Sequence, residues 1–452
     1  MNARLLTSAA ALSMTLGLCA AHAQPAPAQA PEAPAQGQSA PPQGQEAPAQ
    51  QDPAPATAPN PLAASQPTVK IEAPKTAKKA GTKAAKVRET ATSADATPSF
   101  TPDTYEATKA AADRYQAIAD AGGWPAINGD VKADAKGEPV RVLRERLATE
   151  GDLPRENMDG DRFDDALTNA VKSFQLRMGL KPTGIVTGAT LEAINVTAAQ
   201  RARQLADSAQ RIENVKFDFA PRQVIVNIPA AAVEAVEGGV VTHRYPAVVG
   251  DKDHQSPQIV AKIQDVNLNP TWTIPTSIVK NEIIPKVTKN PNYLKREKIH
   301  LVDSRGREVN PGSIDWDSDK LGKYTLKQES GSKNSLGQIR INMPNKEAVY
   351  LHDTPAKGAF SEDYRFLSHG CVRVDGVMDL AAWLLEGAKG DWDAQKIKET
   401  IANKDSTTIK LAKPVPVVWT YLTGFADKDG VAQFRADVYG LDEPVQQDRA
   451  SR

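Results

Sequence analysis

The chain has 452 residues, 40% of them hydrophobic, and its 55 Lys+Arg are balanced by 55 Asp+Glu. Zero net charge excludes a nucleic-acid binder that works through bulk positive charge. Past the N-terminus no apolar run reaches the roughly 18 residues of a membrane span, which excludes a multispan membrane protein, and two cysteines exclude a disulfide-dense scaffold.

The first 23 residues read as an export signal. Met1–Arg4 is basic, Leu5–Ala20 is apolar, and Ala21-His22-Ala23 is a small-x-small cleavage site before Gln24. The apolar stretch is short for a spanning helix, so no transmembrane segment is expected after cleavage. Cys19 leaves with the signal, and Cys371 becomes the only cysteine of the mature chain. Residues 24–100 are rich in Pro, Ala and Gln. They hold 14 of the 33 prolines, and they bury too little apolar surface to offset ordering entropy, which predicts a disordered tether. Its basic end, from Lys70 to Arg88, suits a solvated linker or loose attraction to an anionic wall polymer or membrane surface.

Order is expected from about residue 101. Thr104–Ala121 is Ala-rich and helical in character, and Gly122-Gly123-Trp124-Pro125 breaks it. Val140, Leu143 and Leu147 mark one helix face, Ala166, Ala170 and Phe174 a second, and Thr190, Leu191 and Ile194 a third short helix. Together they predict a three-helix module over 137–198, followed by a linker helix at 199–219.

From about residue 220 the period changes to two. Strands are expected over Gln223–Ile228, Tyr245–Val249, Ile263–Leu268, Lys298–Asp303, Gln338–Met343 and Ala348–His352. A polar, Pro- and Lys-rich stretch at about 272–335 is long for a loop and reads as a subdomain or an active-site cover. Asp375 is the expected N-cap of a helix carrying Val377, Leu380, Ala381, Leu384 and Leu385. Val415–Tyr421 and Val431–Tyr439 are expected to pair as a hairpin around Asp427-Lys428-Asp429-Gly430.

Chemistry concentrates in Tyr350-Leu351-His352-Asp353-Thr354-Pro355 and Ser368-His369-Gly370-Cys371-Val372-Arg373-Val374. A cysteine nucleophile needs a base, backbone N–H donors for an oxyanion, and close substrate approach. His352, the amides of Gly370 and Cys371, and the missing side chain of Gly370 supply candidates for each. On residue types alone, an inert buried thiol and a purely structural turn stay open. His243, His254, His300, His352 and His369 show no short metal-ligand spacing, which disfavours a zinc hydrolase.

A histidine, 15 intervening residues (353–367), then Ser368-His369-Gly370-Cys371, a hydrophobic residue and Arg373 resembles the signature of the L,D-transpeptidase (YkuD-type) catalytic domain. Arg373 stands where many members carry Asn, and the Arg form resembles a large, scaffold-bearing Gram-negative branch. Gly122–Pro125, Val226–Pro229, Asn269–Pro275, Asn334–Gly337 and Tyr350–Pro355 extend that resemblance, while Ser256-Pro257 departs from the usual Thr-Pro. Val171–Gln175, Gly179-Leu180, Gly184 and Thr190-Leu191 resemble a peptidoglycan-binding domain.

The resemblance implies a multidomain α+β chain. Its parts are a mostly β L,D-transpeptidase catalytic domain at 220–390 with a capping subdomain at about 277–335, a helical scaffold (101–136 and 391–443), the small three-helix peptidoglycan-binding module, and a tail at 444–452. It implies a periplasmic enzyme in which Cys371 is acylated by a tetrapeptide stem at diaminopimelate with loss of D-Ala. An amine then resolves the thioester, cross-linking the third residues of two stems. The alternatives are attachment of an outer-membrane protein by the same chemistry, or a noncatalytic wall-binding role. Carried over by residue, Cys371 is the nucleophile, His352 the base, Gly370 and Cys371 the oxyanion donors, and His369 and Ser368 shape the loop. Arg373 clamps a substrate carboxylate, and Tyr350 and Trp272 line the cleft. Partners are stem peptides and glycan strands, not nucleic acid, and the reaction calls for no metal or cofactor.

Overall fold

The computed structural model describes residues 90, 92–316 and 322–443. The expected signal, nearly all of the expected tether and the expected tail lie outside them. Five helices come first: α1 (Thr104–Asp120), α2 (Glu138–Glu150), α3 (Asp165–Arg177), α4 (Gly188–Ile194) and α5 (Ala198–Glu213). Their ends follow local chemistry. The Asp164 side chain caps α3 by accepting from the Leu167 N–H, and Thr197 and Gln200 form a capping box on α5. Val140, Leu143, Leu147, Leu167, Phe174 and Ile194 are buried in one core together with Ala111 and Tyr115 of α1 and Leu205 of α5. The three-helix module thus shares its interior with the scaffold.

A strand-rich region follows. It contains β1 (Arg222–Asn227), β2 (Ala232–Glu237), β3 (Val240–Gly250), β4 (Ile259–Leu268) and β5 (Trp272–Thr273). Next come α6 (Thr276–Ile278), a π-helical turn (Val279–Ile283), α7 (Ile284–Lys289), α8 (Tyr293–Arg296), β6 (Ile299–Val302) and β7 (Thr325–Gln328). Then follow β8 (Ile339–Asn342), β9 (Leu351–His352), β10 (Phe366–Ser368), β11 (Val372–Val374), α9 (Val377–Leu384) and α10 (Ala394–Ala402). β12 (Thr407–Thr420), β13 (Gly424–Ala426) and β14 (Ala432–Phe434) complete the chain.

Nine strands form one sheet in the order β10-β3-β11-β9-β8-β4-β12-β1-β2, and β2 pairs back to β3. That extra pairing closes a barrel. β3 is long enough to serve both seams: Val240–Pro246 runs beside β2, and Ala247 and Val248 run beside β11. Alternation along the strands sends Ile339, Ile341, Leu351, Val372 and Val374 inward, where Leu380 and Leu384 of α9 and Ile397 of α10 complete the core. Each such side chain contributes about 1.5–3 kcal/mol on burial. On the outer face, Ile225, Val236 and Val418 pack against Phe100, Ile212 and Phe217, which fixes the scaffold to the barrel wall.

The stretch from β5 to β7 leaves and rejoins the barrel between β4 and β8, which are hydrogen-bonded neighbours. It builds a three-stranded sheet, β5-β7-β6, with a separate core of Ile274, Val279, Ile283, Val287, Leu294, Leu301 and Leu326. We refer to it as the cap.

Four sequence expectations are corrected. β12 lies between β4 and β1, so the barrel needs residues beyond the boundary drawn at 390. Val415–Tyr421 therefore pairs within the barrel, and the C-terminal hairpin is β13 with β14. Asp375 does not cap α9: Gly376, at φ +68°, turns the chain out of β11, and the Asp375 N–H bonds the Pro246 carbonyl. Residues 92–100 are anchored rather than tether-like. Arg244 donates to the carbonyls of Ser93 (2.8 Å) and Thr97 (3.0 Å), and Ser99 donates to Glu234.

Candidate active site

Strand register builds the site. β9 and β11 run parallel, with Leu351 beside Val372 and His352 beside Arg373. One step earlier on both strands sets Tyr350 beside Cys371, and the Val372 N–H donates to the Tyr350 carbonyl at 3.1 Å. Leu351 and Val372 point into the barrel, so alternation turns Tyr350, His352, Cys371 and Arg373 together onto the outer face. β8 adds Arg340 opposite His352, with its guanidinium 4.4 Å from the Tyr350 ring centroid. The cap covers this face. A cavity of about 410 Å³ is lined by Cys371, His352, Arg373, Tyr350, Ser368 and His369 from the barrel, and by Trp272, Glu282 and Lys286 from the cap. All the sequence-derived site residues except Gly370 line it, and Gly370 adjoins Cys371 in the chain.

Cys371 is half-buried and is a free thiol. Burial pushes its pKa up, and the backbone N–H and hydroxyl of Tyr350 and the nearby guanidinium groups of Arg340 and Arg373 pull it back part of the way. Burial, reinforced by Arg373, lowers the pKa of His352 to about 3. The resting pair is therefore a neutral thiol and a neutral imidazole. His352 Nδ1 bonds the Asp353 carbonyl. A carbonyl only accepts, so the ring proton sits on Nδ1, and the Leu336 backbone also bonds the ring. The hydroxyl of Tyr350, bonded to the thiol, also meets Trp272 of the cap.

The loop before Cys371 is held tightly. Ser368 Oγ accepts from the Gly370 N–H (3.2 Å) and donates to the Cys371 carbonyl. The Gly370 carbonyl accepts from Ser256 Oγ at 2.8 Å, and Gly370 takes φ +101°, a left-handed conformation that favours glycine. The expectation that the Gly370 amide is a free oxyanion donor is corrected: Ser368 occupies it. The Cys371 N–H has no partner among the described residues and remains the backbone donor.

Several groups escaped sequence reasoning. His369 Nε2 lies 2.8 Å from Glu282 Oε1 of the cap, and its ring lies 4.4 Å from that of His254, tilted by 41°. The Nε atoms of Arg373 and Arg340 are buried without a hydrogen-bond partner. Of the two, Arg373 lines the cavity, and a guanidinium with a spare donor there suits an anionic ligand.

Comparison with known proteins agrees with this geometry. Residues 221–397 match the family model described as the L,D-transpeptidase catalytic domain, YkuD. Residues 136–194 match a "Putative peptidoglycan binding domain". The chain thus carries a YkuD-type catalytic domain and a separate peptidoglycan-binding domain. It is homologous to a Haemophilus influenzae protein described as "Putative L,D-transpeptidase", 32% identical over 54% of this chain and 49% of that protein. The match therefore spans about half of that relative's length. Among solved structures, an L,D-transpeptidase from Mycobacterium smegmatis is 15% identical over 44% of this chain and 59% of its own, with a TM-score of 0.20. One from Stackebrandtia nassauensis is 16% identical over 65% and 96%, with a TM-score of 0.23. Scores this low carry no argument about this chain.

Proposed function

We propose that this chain is a periplasmic L,D-transpeptidase that cross-links the third residues of two peptidoglycan stems. The observation that carries the reading is the placement of Cys371, His352 and Arg373 on one outer face of the barrel, beneath the cap. His352 Nε2 takes the thiol proton as sulfur attacks the diaminopimelate carbonyl of a tetrapeptide stem. The Cys371 N–H receives the developing oxyanion, and the Tyr350 hydroxyl steadies the sulfur. The proton held on His352 passes to the departing D-Ala amine, leaving a thioester, and an acceptor amine then resolves it. Such acid–base help is worth about 10²–10⁴ in rate.

Arg373 is the carboxylate clamp in this reading: a half-buried guanidinium whose Nε has no partner fits a stem carboxylate. Tyr350 and Trp272 shape the cleft wall, and Ser368 and His369 set the loop. The peptidoglycan-binding domain holds glycan strands near the cavity. The reading of residues 1–23 as an export signal supports the periplasm, and among the described residues no helix is long and apolar enough to cross a membrane. The test is incubation of the chain from Gln24 onward with a disaccharide-tetrapeptide. Release of D-Ala together with a cross-linked dimer is expected from wild type and absent from Cys371→Ala. Folded wild-type protein that yields neither product would refute the proposal.

A further inference from the structure

We propose that His369, held by Glu282 of the cap, is the base that deprotonates the acceptor amine, so the two half-reactions use different histidines. The inference rests on the transpeptidase reading above. Its starting point is a difference between the two steps. Acylation moves one proton from a thiol to a leaving amine. Transfer begins with a primary amine that arrives as an ammonium ion of pKa about 10.4. The site must attract a cation and remove a proton before the nitrogen can attack.

His352 is badly placed for that task. It is buried, and its register partner is the Arg373 guanidinium, which repels an ammonium. His369 is better placed. It lies two residues before Cys371, lines the same cavity, and keeps 33% of its side chain exposed. Its Nε2 faces Glu282 Oε1 at 2.8 Å. The contact is an ion-pair approach, and with the ring proton on Nε2, toward the carboxylate, the Nδ1 lone pair is free. Nδ1 has no partner among the described residues. The carboxylate orients the ring and stabilises the imidazolium that forms, as in a carboxylate–histidine dyad. The ring of His254, whose Nδ1 is 3.0 Å from Asp251, backs His369 at 4.4 Å. Glu282 lies on the π-helical turn, a feature frequent at functional sites, and also meets Lys286 Nζ at 3.0 Å.

The proton count closes. The ammonium gives one proton to His369 Nδ1 and becomes a neutral amine. Its lone pair attacks the thioester carbonyl, the C–N bond forms and the C–S bond breaks. The second nitrogen proton goes to the Cys371 thiolate, and His369 passes its proton to solvent. His369 is thus a catalytic residue of the transfer step, and Glu282 a positioning residue that acts through it.

The test is Glu282→Gln in the chain from Gln24 onward, followed step by step. Acylation is read as the D-Ala burst and the mass of the adduct. Resolution is read with a stem amine and, separately, with hydroxylamine, which is already uncharged at neutral pH. The expected result is stem-amine transfer slowed about ten-fold or more relative to both acylation and hydroxylamine resolution in the same variant. Equal loss in all three readouts would make Glu282 only a latch for the cap and overturn the proposal. Unchanged stem-amine transfer would overturn it as well. A wild-type chain that never forms the adduct would instead refute the transpeptidase reading on which this one stands.

Discussion

His352 and Arg373 are register partners on adjacent parallel strands, an imidazole beside a guanidinium. The neighbour helps to hold His352 neutral and carries a buried, unpartnered Nε of its own. Arg373→Gln should therefore have two effects: the pKa of His352 rises, and donor binding weakens. An NMR titration of the His352 ring reads the first. The second appears as a KM for the tetrapeptide raised about ten-fold or more, the size of one charge-assisted hydrogen bond.

The low pKa of His352 also has a sign in stability. The group binds its proton near 6.5 in the unfolded chain and near 3 in the folded one. Between those values the unfolded state holds more protons, so stability falls as pH drops from about 6.5 toward 3. The slope is at most about 1.4 kcal/mol per pH unit. Urea unfolding at pH 4, 5, 6 and 7 should show this component in wild type, and His352→Gln should remove it while leaving the carboxylate contributions.

Tyr350 stabilises the Cys371 thiolate through its hydroxyl as well as its backbone N–H. Tyr350→Phe keeps the backbone contact and loses the other. The thiol pKa should move further up, and iodoacetamide should alkylate Cys371 a few-fold more slowly at neutral pH. The difference should close at a pH high enough to ionise both thiols.

Far from the cavity, Glu150 is fully buried between Arg146 and Arg177, and it accepts from the Tyr115 hydroxyl. Glu150→Gln leaves Arg146 without its counter-charge in a dry interior, while Arg177 keeps Asp152. The expected cost is about 3–5 kcal/mol, read as a lowered unfolding midpoint in denaturant, because this cluster lies in the core shared by scaffold and module.

The parts of the site legible in the sequence are those encoded locally. His352, Ser368, His369, Gly370 and Cys371 form a spaced signature, and period-two alternation places Tyr350 and His352 on one side of a strand. The parts that were not legible depend on residues brought together across long stretches of chain. Ser256 reaches the Gly370 carbonyl across 114 positions, and Glu282 reaches His369 only because the cap folds back over the loop. Strand order is equally silent in a hydrophobic pattern. Val415–Tyr421 read as β sequence, but nothing in their alternation says that they belong between β4 and β1. The occupied Gly370 amide has the same origin: a motif names the glycine, and only the folded turn shows the Ser368 hydroxyl already on its N–H.

The central claim is that Cys371 forms a thioester with the donor stem. The direct measurement is the intact mass of the chain from Gln24 onward after brief exposure to a disaccharide-tetrapeptide, with Cys371→Ala alongside. The account predicts a mass gain equal to the stem less D-Ala in wild type alone, localised to Cys371 and discharged by added amine. No adduct on folded wild-type protein, or the same adduct on Cys371→Ala, would contradict it.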